Sequence, residues 1–212
     1  MKFSLRAAAA LVLFGASGCS AGLHSSAPSP QTYLLKVMEP PAREDQGTQQ
    51  QPKASIQISR PQARPGLDTD RIAIVKPGHK GDYYASAQWA GAVPDVVESL
   101  LIDRLRASRR WTVVQSSRNA FPADYLLQVR VSSFDAEYTD EKSAPRVTVA
   151  MDCTIGRRVD REMLAAFSVT GTALADANRL GAVAAAFETA ANAALDQLDA
   201  QSWAAVKTSQ AP

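Results

Sequence analysis

The chain has 212 residues, of which 46% are hydrophobic and 21% charged, with a formal net charge of +2. That length suits one domain with a tether, or two very small domains. The near-balance of charge excludes the strongly basic surface of a nucleic-acid-binding protein. Lys2 and Arg6 supply the whole excess, so the chain beyond them carries 21 basic and 21 acidic residues.

The first stretch is an export signal. Lys2 and Arg6 precede an apolar run, Ala7 to Phe14, and small residues then lead to Cys19. A positive start, a short apolar core and small residues before the cut make a secretory signal peptide over residues 1–18. The run is far below the ~20 residues that a spanning helix needs. Ala16-Ser17-Gly18-Cys19 resembles a bacterial lipobox, although Leu is commoner where Ala16 stands. In such signals the cysteine sulfur receives a diacylglycerol, the chain is cut before the cysteine, and the new amine is acylated. An ordinary cleaved signal with Cys19 a bystander is the plainer alternative. Ser20, where an Asp would favour inner-membrane retention, points to the outer membrane. Several acyl chains on Cys19 hold a protein firmly, whereas one is marginal.

Residues 19–31 are Ser, Pro, Ala and Gly with almost no bulk and read as a flexible tether. Thr32 to Met38 reads as a first strand. Glu39 to Lys53 is rich in Pro, Gln and Glu and reads as a loose or disordered loop. Ala54 to Ser59 alternates as a second strand, and Arg64-Pro65-Gly66-Leu67-Asp68-Thr69 is turn chemistry. Arg71 to Lys76 is a third strand, stopped by Pro77-Gly78, and Asp82 to Trp89 is a short fourth. Pro94 opens an amphipathic helix to residue 108, where its missing N–H costs nothing. Its stripe is Val97, Leu100, Leu101, Leu105 and Ser108, with Asp103, Arg106 and Arg110 opposite. Trp111 to Gln115 is again a strand. Asp124 to Tyr138, Pro145 to Val159 and Glu162 to Ala175 follow as a meander, because polar turns this short join hairpins. Leu180, Val183, Ala184, Phe187, Ala190, Ala191, Ala194, Leu195 and Leu198 recur at helical steps across 179–203. Residues 204–212 read as a disordered tail. The expected architecture is α+β, a mostly antiparallel sheet with the two main helices packed on one face.

Candidate chemistry is sparse. His24 lies in the tether and His79 in a turn, so neither a Ser-His-Asp nor a Cys-His arrangement has a placed base. Scattered Cys and His do not supply a zinc site, no phosphate-binding glycine loop occurs, and no cofactor is expected. Cys153 sits on the apolar face of its strand, as a core thiol would. Gly78-His79-Lys80-Gly81 matches a nucleic-acid-clamping GxxG only superficially and reads as a hairpin turn. Tyr83, Tyr84 and Trp89 form the one polar-aromatic cluster; strand packing is the favoured reading, and an interface or lipid-facing rim is the functional one. The last helix could also pair with another subunit of a homo-oligomer, although core packing fits its alanines better.

Several stretches in order resemble one family. They are Thr32-Tyr33-Leu34-Leu35, Arg64-Pro65-Gly66-Leu67-Asp68-Thr69-Asp70-Arg71-Ile72-Ala73, Asp82 to Ala90, Val93-Pro94, Asp124-Tyr125-Leu126-Leu127 and Ala185-Ala186-Phe187. The set is similar to the ABC-type transport auxiliary lipoproteins, whose PqiC-like members are associated with Mce-type lipid transporters. The resemblance covers Gln31 to Trp203 and implies a domain over 32–203 with no enzymatic role. It also implies an Mce-domain partner and attachment to the outer membrane through acyl chains on Cys19. The expected function is auxiliary transport of phospholipid or other hydrophobic cargo between the two membranes. The alternative is a structural lipoprotein that supports an outer-membrane complex without handling lipid.

Overall fold

The computed structural model describes residues 29–38, 54–119, 121–140 and 142–210. The leader, Cys19, most of the tether and the Glu39–Lys53 loop lie outside the described residues. The elements are β1 (Gln31–Tyr33), β2 (Ser55–Ile58), β3 (Gln62–Ala63), β4 (Arg71–Lys76), β5 (Lys80–Trp89), α1 (Val93–Ala107), β6 (Val113–Ser116), β7 (Tyr125–Glu137), β8 (Arg146–Arg157), β9 (Met163–Leu174) and α2 (Leu180–Ser209).

The spine is β7. Tyr125, Leu127, Val129 and Val131 point inward while Gln128 and Arg130 face solvent, the period of two expected of a half-buried strand. One edge of β7 pairs antiparallel with β8, and β8 pairs antiparallel with β9. This is the expected meander. Along its other edge lie three short strands end to end, all parallel to it. β2 sits beside Tyr125–Leu127, β3 beside Arg130–Val131 and β4 beside Asp135–Glu137. Outside them, β6 pairs parallel with β2, β5 pairs antiparallel with β4, and β1 pairs parallel with β5. The sheet is therefore mixed: its long pairings are antiparallel, as expected, and its short ones are mostly parallel. Two physical causes operate. β2, β3 and β4 follow one edge in one direction with only turns between them. α1 then carries the chain from β5 to the outer side of β2, where β6 runs opposite to β5 and so parallel to β2.

Both helices cover one face, as the apolar stripes require. Val97, Leu100, Leu101 and Leu105 of α1 are buried. Arg110 does not lie on a solvent face as expected; just past the helix, it pairs with the buried Asp199 of α2 at 3.0 Å. In α2, Val183, Phe187, Ala190, Ala191, Ala194, Leu195 and Leu198 are buried. That helix continues to Ser209, where Val206 is again fully buried, so its turns past Trp203 pack rather than fray.

Small side chains let α2 approach the sheet closely. The tightest point is Gly171 on β9, where a Cβ would lie 1.9 Å from the carbonyl oxygen of Ala190. Trp89, Phe134 and Phe187 join β5, β7 and α2. The indole meets the two phenyl rings edge-on, at centroid distances of 5.6 and 4.9 Å. Such pairs add about 1 kcal/mol beyond the area they bury.

Candidate functional site

The three aromatics singled out from the sequence do not share a surface. Trp89 is 1% exposed and belongs to the core. The phenol of Tyr83 donates to the Gly66 carbonyl at 2.8 Å, and the Arg71 guanidinium lies 4.0 Å above its ring. It thereby closes the Arg64–Thr69 turn, in which Gly66 has φ of +90°. Tyr84 is half-buried, and its phenol meets that of Tyr138 at 2.5 Å; Tyr138 in turn donates to Asn178 at 3.0 Å. Burial, then the Tyr138 hydrogen bond, push the Tyr84 phenol well above its ordinary value. The rings diverge because β5 is bulged: Arg71 of β4 pairs with Gln88, but Ala73 pairs with Tyr83. The strict alternation along β5 that the sequence suggests is broken there. Gly78 and His79, both at positive φ, make the β4–β5 turn.

The described chain begins at residue 29, and residues 34–38 fasten its N-terminal end to the body. After Tyr33 the expected strand leaves the sheet and crosses α2. Leu35 and Val37 pack on the core while Leu34 is 70% exposed. Asn192 of α2 takes the place of a neighbouring strand. Its amide nitrogen donates to the Lys36 carbonyl at 3.0 Å, and its amide oxygen accepts from the Met38 N–H at 2.8 Å. One carboxamide thus satisfies both backbone groups, as a peptide unit would. Glu188 accepts from the Lys36 N–H at 3.1 Å.

Cys153 is 2% exposed on the inner face of β8, and burial, then the charge of Asp152, push its thiol up to about 12. The thiolate that would react or bind metal is therefore not formed near neutral pH. Asp135 on β7 is also buried, and desolvation raises its carboxyl above the ordinary value despite Arg64 at 4.0 Å.

A concavity of about 480 Å³ lies at the far end of the β8–β9 hairpin. Its floor is the solvent face of the sheet, with Leu126 and Gln128 from β7 and Thr154 and Gly156 from β8. Its wall is the turn Arg157–Met163. Arg157 is neutralised by Asp160 at 2.9 Å and by Glu162. Arg158 is held differently. Its backbone N–H donates to the Asp124 carbonyl at 2.9 Å, and its guanidinium donates to the side-chain oxygen of Gln57. Gln57 is 6% exposed, and its amide nitrogen is 3.3 Å from the Asn119 carbonyl. Arg161 has φ of 59°, a left-handed conformation that a non-glycine residue adopts at a cost of about 1 kcal/mol. Sequence alternation alone places Arg157 and Arg158 at the end of a strand and gives these arginines no role. The signal that could have found them is three arginines within five residues at a hairpin turn, flanking Val159.

The family model for the ABC-type transport auxiliary lipoprotein component matches residues 33–199. The chain belongs to that family. The match begins at the last residue of β1 and runs through most of α2, so it covers nearly the whole fold of this auxiliary lipoprotein. Among solved structures, protein XCC0632 from Xanthomonas campestris is 20% identical with a TM-score of 0.73, over 84% of this chain and 98% of its own. An uncharacterized protein is 12% identical with a TM-score of 0.58, over 87% of this chain and 100% of its own. At these identities the likeness is one of fold. No curated protein matches the chain. Among the described residues of this auxiliary lipoprotein, no helix is long and apolar enough to cross a membrane.

Proposed function

We propose that this auxiliary lipoprotein is held at the periplasmic side of the outer membrane by acyl chains on Cys19. There it serves a Mce-type ABC system that moves phospholipid or other hydrophobic cargo between the membranes, without catalysing a reaction. The observation that carries this reading is the family match, which spans the packed body from β1 to α2. The Ala-Ser-Gly-Cys ending of the leader supports the anchor. So does the way residues 34–38 are fastened, because the part of the chain beyond the tether is docked on the body at Asn192. The Mce-domain protein of the system is the expected partner. In-cell crosslinking with identification of neighbours tests this. An Mce-domain protein is expected among them, and its consistent absence overturns the partnership. Cys19→Ala is expected to leave a folded domain that fractionates with the soluble periplasm; retention with the outer membrane would show a second hold.

A further inference from the structure

The overall neutrality of the chain hides one local exception. At the far end of the β8–β9 hairpin, three large apolar side chains stand out in water: Phe121 at 76%, Val159 at 88% and Met163 at 65% exposure. They come from three segments that the hydrogen bonds bring together. The Phe121 carbonyl accepts from Gln115 at 2.6 Å, the Asn119 carbonyl accepts from Gln57, and Gln57 accepts from Arg158 beside Val159. Met163 lines the same cavity as Arg158 and Arg161.

Among the described residues, two cations there lack a counter-charge. The guanidinium of Arg158 bonds the neutral amide of Gln57, and that of Arg161 makes no hydrogen bond or ion pair. The buried Gln57 fixes Arg158 before any ligand arrives, which lowers the ordering cost of binding. Both arginines line the one cavity, and the N–H fork of a guanidinium can donate two bonds at once to a phosphate. The volume is within the ordinary range for small-ligand sites, and Leu126 and Met163 give its lining apolar surface that a free inorganic anion would not use.

We propose that this cavity receives the phosphate of a phospholipid headgroup on Arg158 and Arg161, with Phe121, Val159 and Met163 against the acyl-bearing part of the molecule. The proposal rests on the lipid-handling reading above and names the part of the cargo that the protein grips. The apolar surface favours a lipid over a soluble phosphate ester of the same headgroup chemistry.

The test uses the full lipidated chain in cells grown on radioactive phosphate, with p-benzoylphenylalanine in place of Phe121. The thioether-linked diacylglycerol anchor contains no phosphorus, so label on the protein after irradiation and solvent extraction reports a captured phospholipid. A labelled adduct that also carries acyl chains is expected, about tenfold weaker in Arg158→Gln/Arg161→Gln, as loss of charge-assisted hydrogen bonds predicts. Arg161→Gln alone removes no hydrogen bond or ion pair among the described residues, so it should fold as the parent does and still weaken capture. The same probe at Leu174, which lies about 36 Å from Met163 along β9, should give no arginine-dependent adduct. Absence of label at 121, label insensitive to both variants, a labelled adduct without acyl chains, or a protein adduct in its place would each overturn the proposal. Phospholipid exchange between the membranes, measured with and without the gene, separates the two readings. Exchange that needs the protein while position 121 captures no lipid overturns the cavity alone. Arginine-dependent capture in cells whose exchange is indifferent to the gene overturns the transport role and leaves the cavity standing.

Discussion

The two halves of the sheet are built differently. The β7–β8–β9 meander consists of strands of 12 or 13 residues, each paired with its sequence neighbour and covered by α2. The other half is assembled from pieces of two to ten residues. It is mostly parallel, interrupted by turns and a bulge, and completed by side chains that stand in for missing strands. Long backbone ladders, each with a single register shift, and close helix packing carry the first half. The second depends on individual amides and hydroxyls.

The largest effect is expected where the meander meets α2. Gly171→Ala places a methyl 1.9 Å from a backbone oxygen, so helix and strand must separate. Overpacking costs typically reach about 3 kcal/mol or more when backbone must move, and thermal denaturation should show a loss of that size. An unchanged melting temperature would mean that the meander yields more easily than its geometry implies. Second comes Asn192→Ala in the stitched half. It removes the bonds to Lys36 and Met38, and about 2 kcal/mol should be lost at net hydrogen-bond values. Hydrogen exchange should accelerate in residues 31–38 while β8 stays protected. Loss of protection throughout would show that the two halves unfold as one.

Tyr84→Phe is a gentler probe of the bulged strand. It breaks the Tyr84–Tyr138 contact but leaves Tyr138 its bond to Asn178, so roughly 1 kcal/mol is expected. The smallest effect is a slope against pH. Asp135 has its folded-state pKa raised, chiefly by burial. The folded chain therefore holds that proton more tightly than the unfolded one. Asp135 should favour stability at pH below the ordinary carboxylate value, and that contribution should fade as pH rises through the raised value. Asp135→Asn should flatten the slope, with denaturant midpoints across the acid range as the readout. A mutant that retains the full slope would assign it to other carboxylates.

The same division explains what could be read in the sequence. The meander and both helices are legible because their periodicities run long and their turns are short and polar. Arg71–Lys76 is legible for its apolar run and its Pro-Gly stop. β3 is not, since two residues carry no period. Thr32–Met38 alternates throughout, yet only its first residues find a strand; whether a neighbour is a backbone or Asn192 is decided 154 residues away. Trp89 groups with Tyr83 and Tyr84 in the sequence because the Arg71–Ala73 bulge cannot be seen in the spacing. The arginine-lined cavity is hidden for a similar reason, as Gln57 that positions Arg158 lies 101 residues from it.

The passage of residues 31–38 across the molecule also has a mechanical meaning. Tension transmitted along the chain from a membrane-held N-terminus would first meet β1, whose bonds to β5 run side by side along a parallel pair. A pull along the strand axis loads those bonds in shear, together rather than one after another. Beyond them, the carboxamide of Asn192 holds the chain to a helix of 30 residues, which spreads the load over the packed core. Under such a pull, this attachment would let the body be hauled without being unzipped.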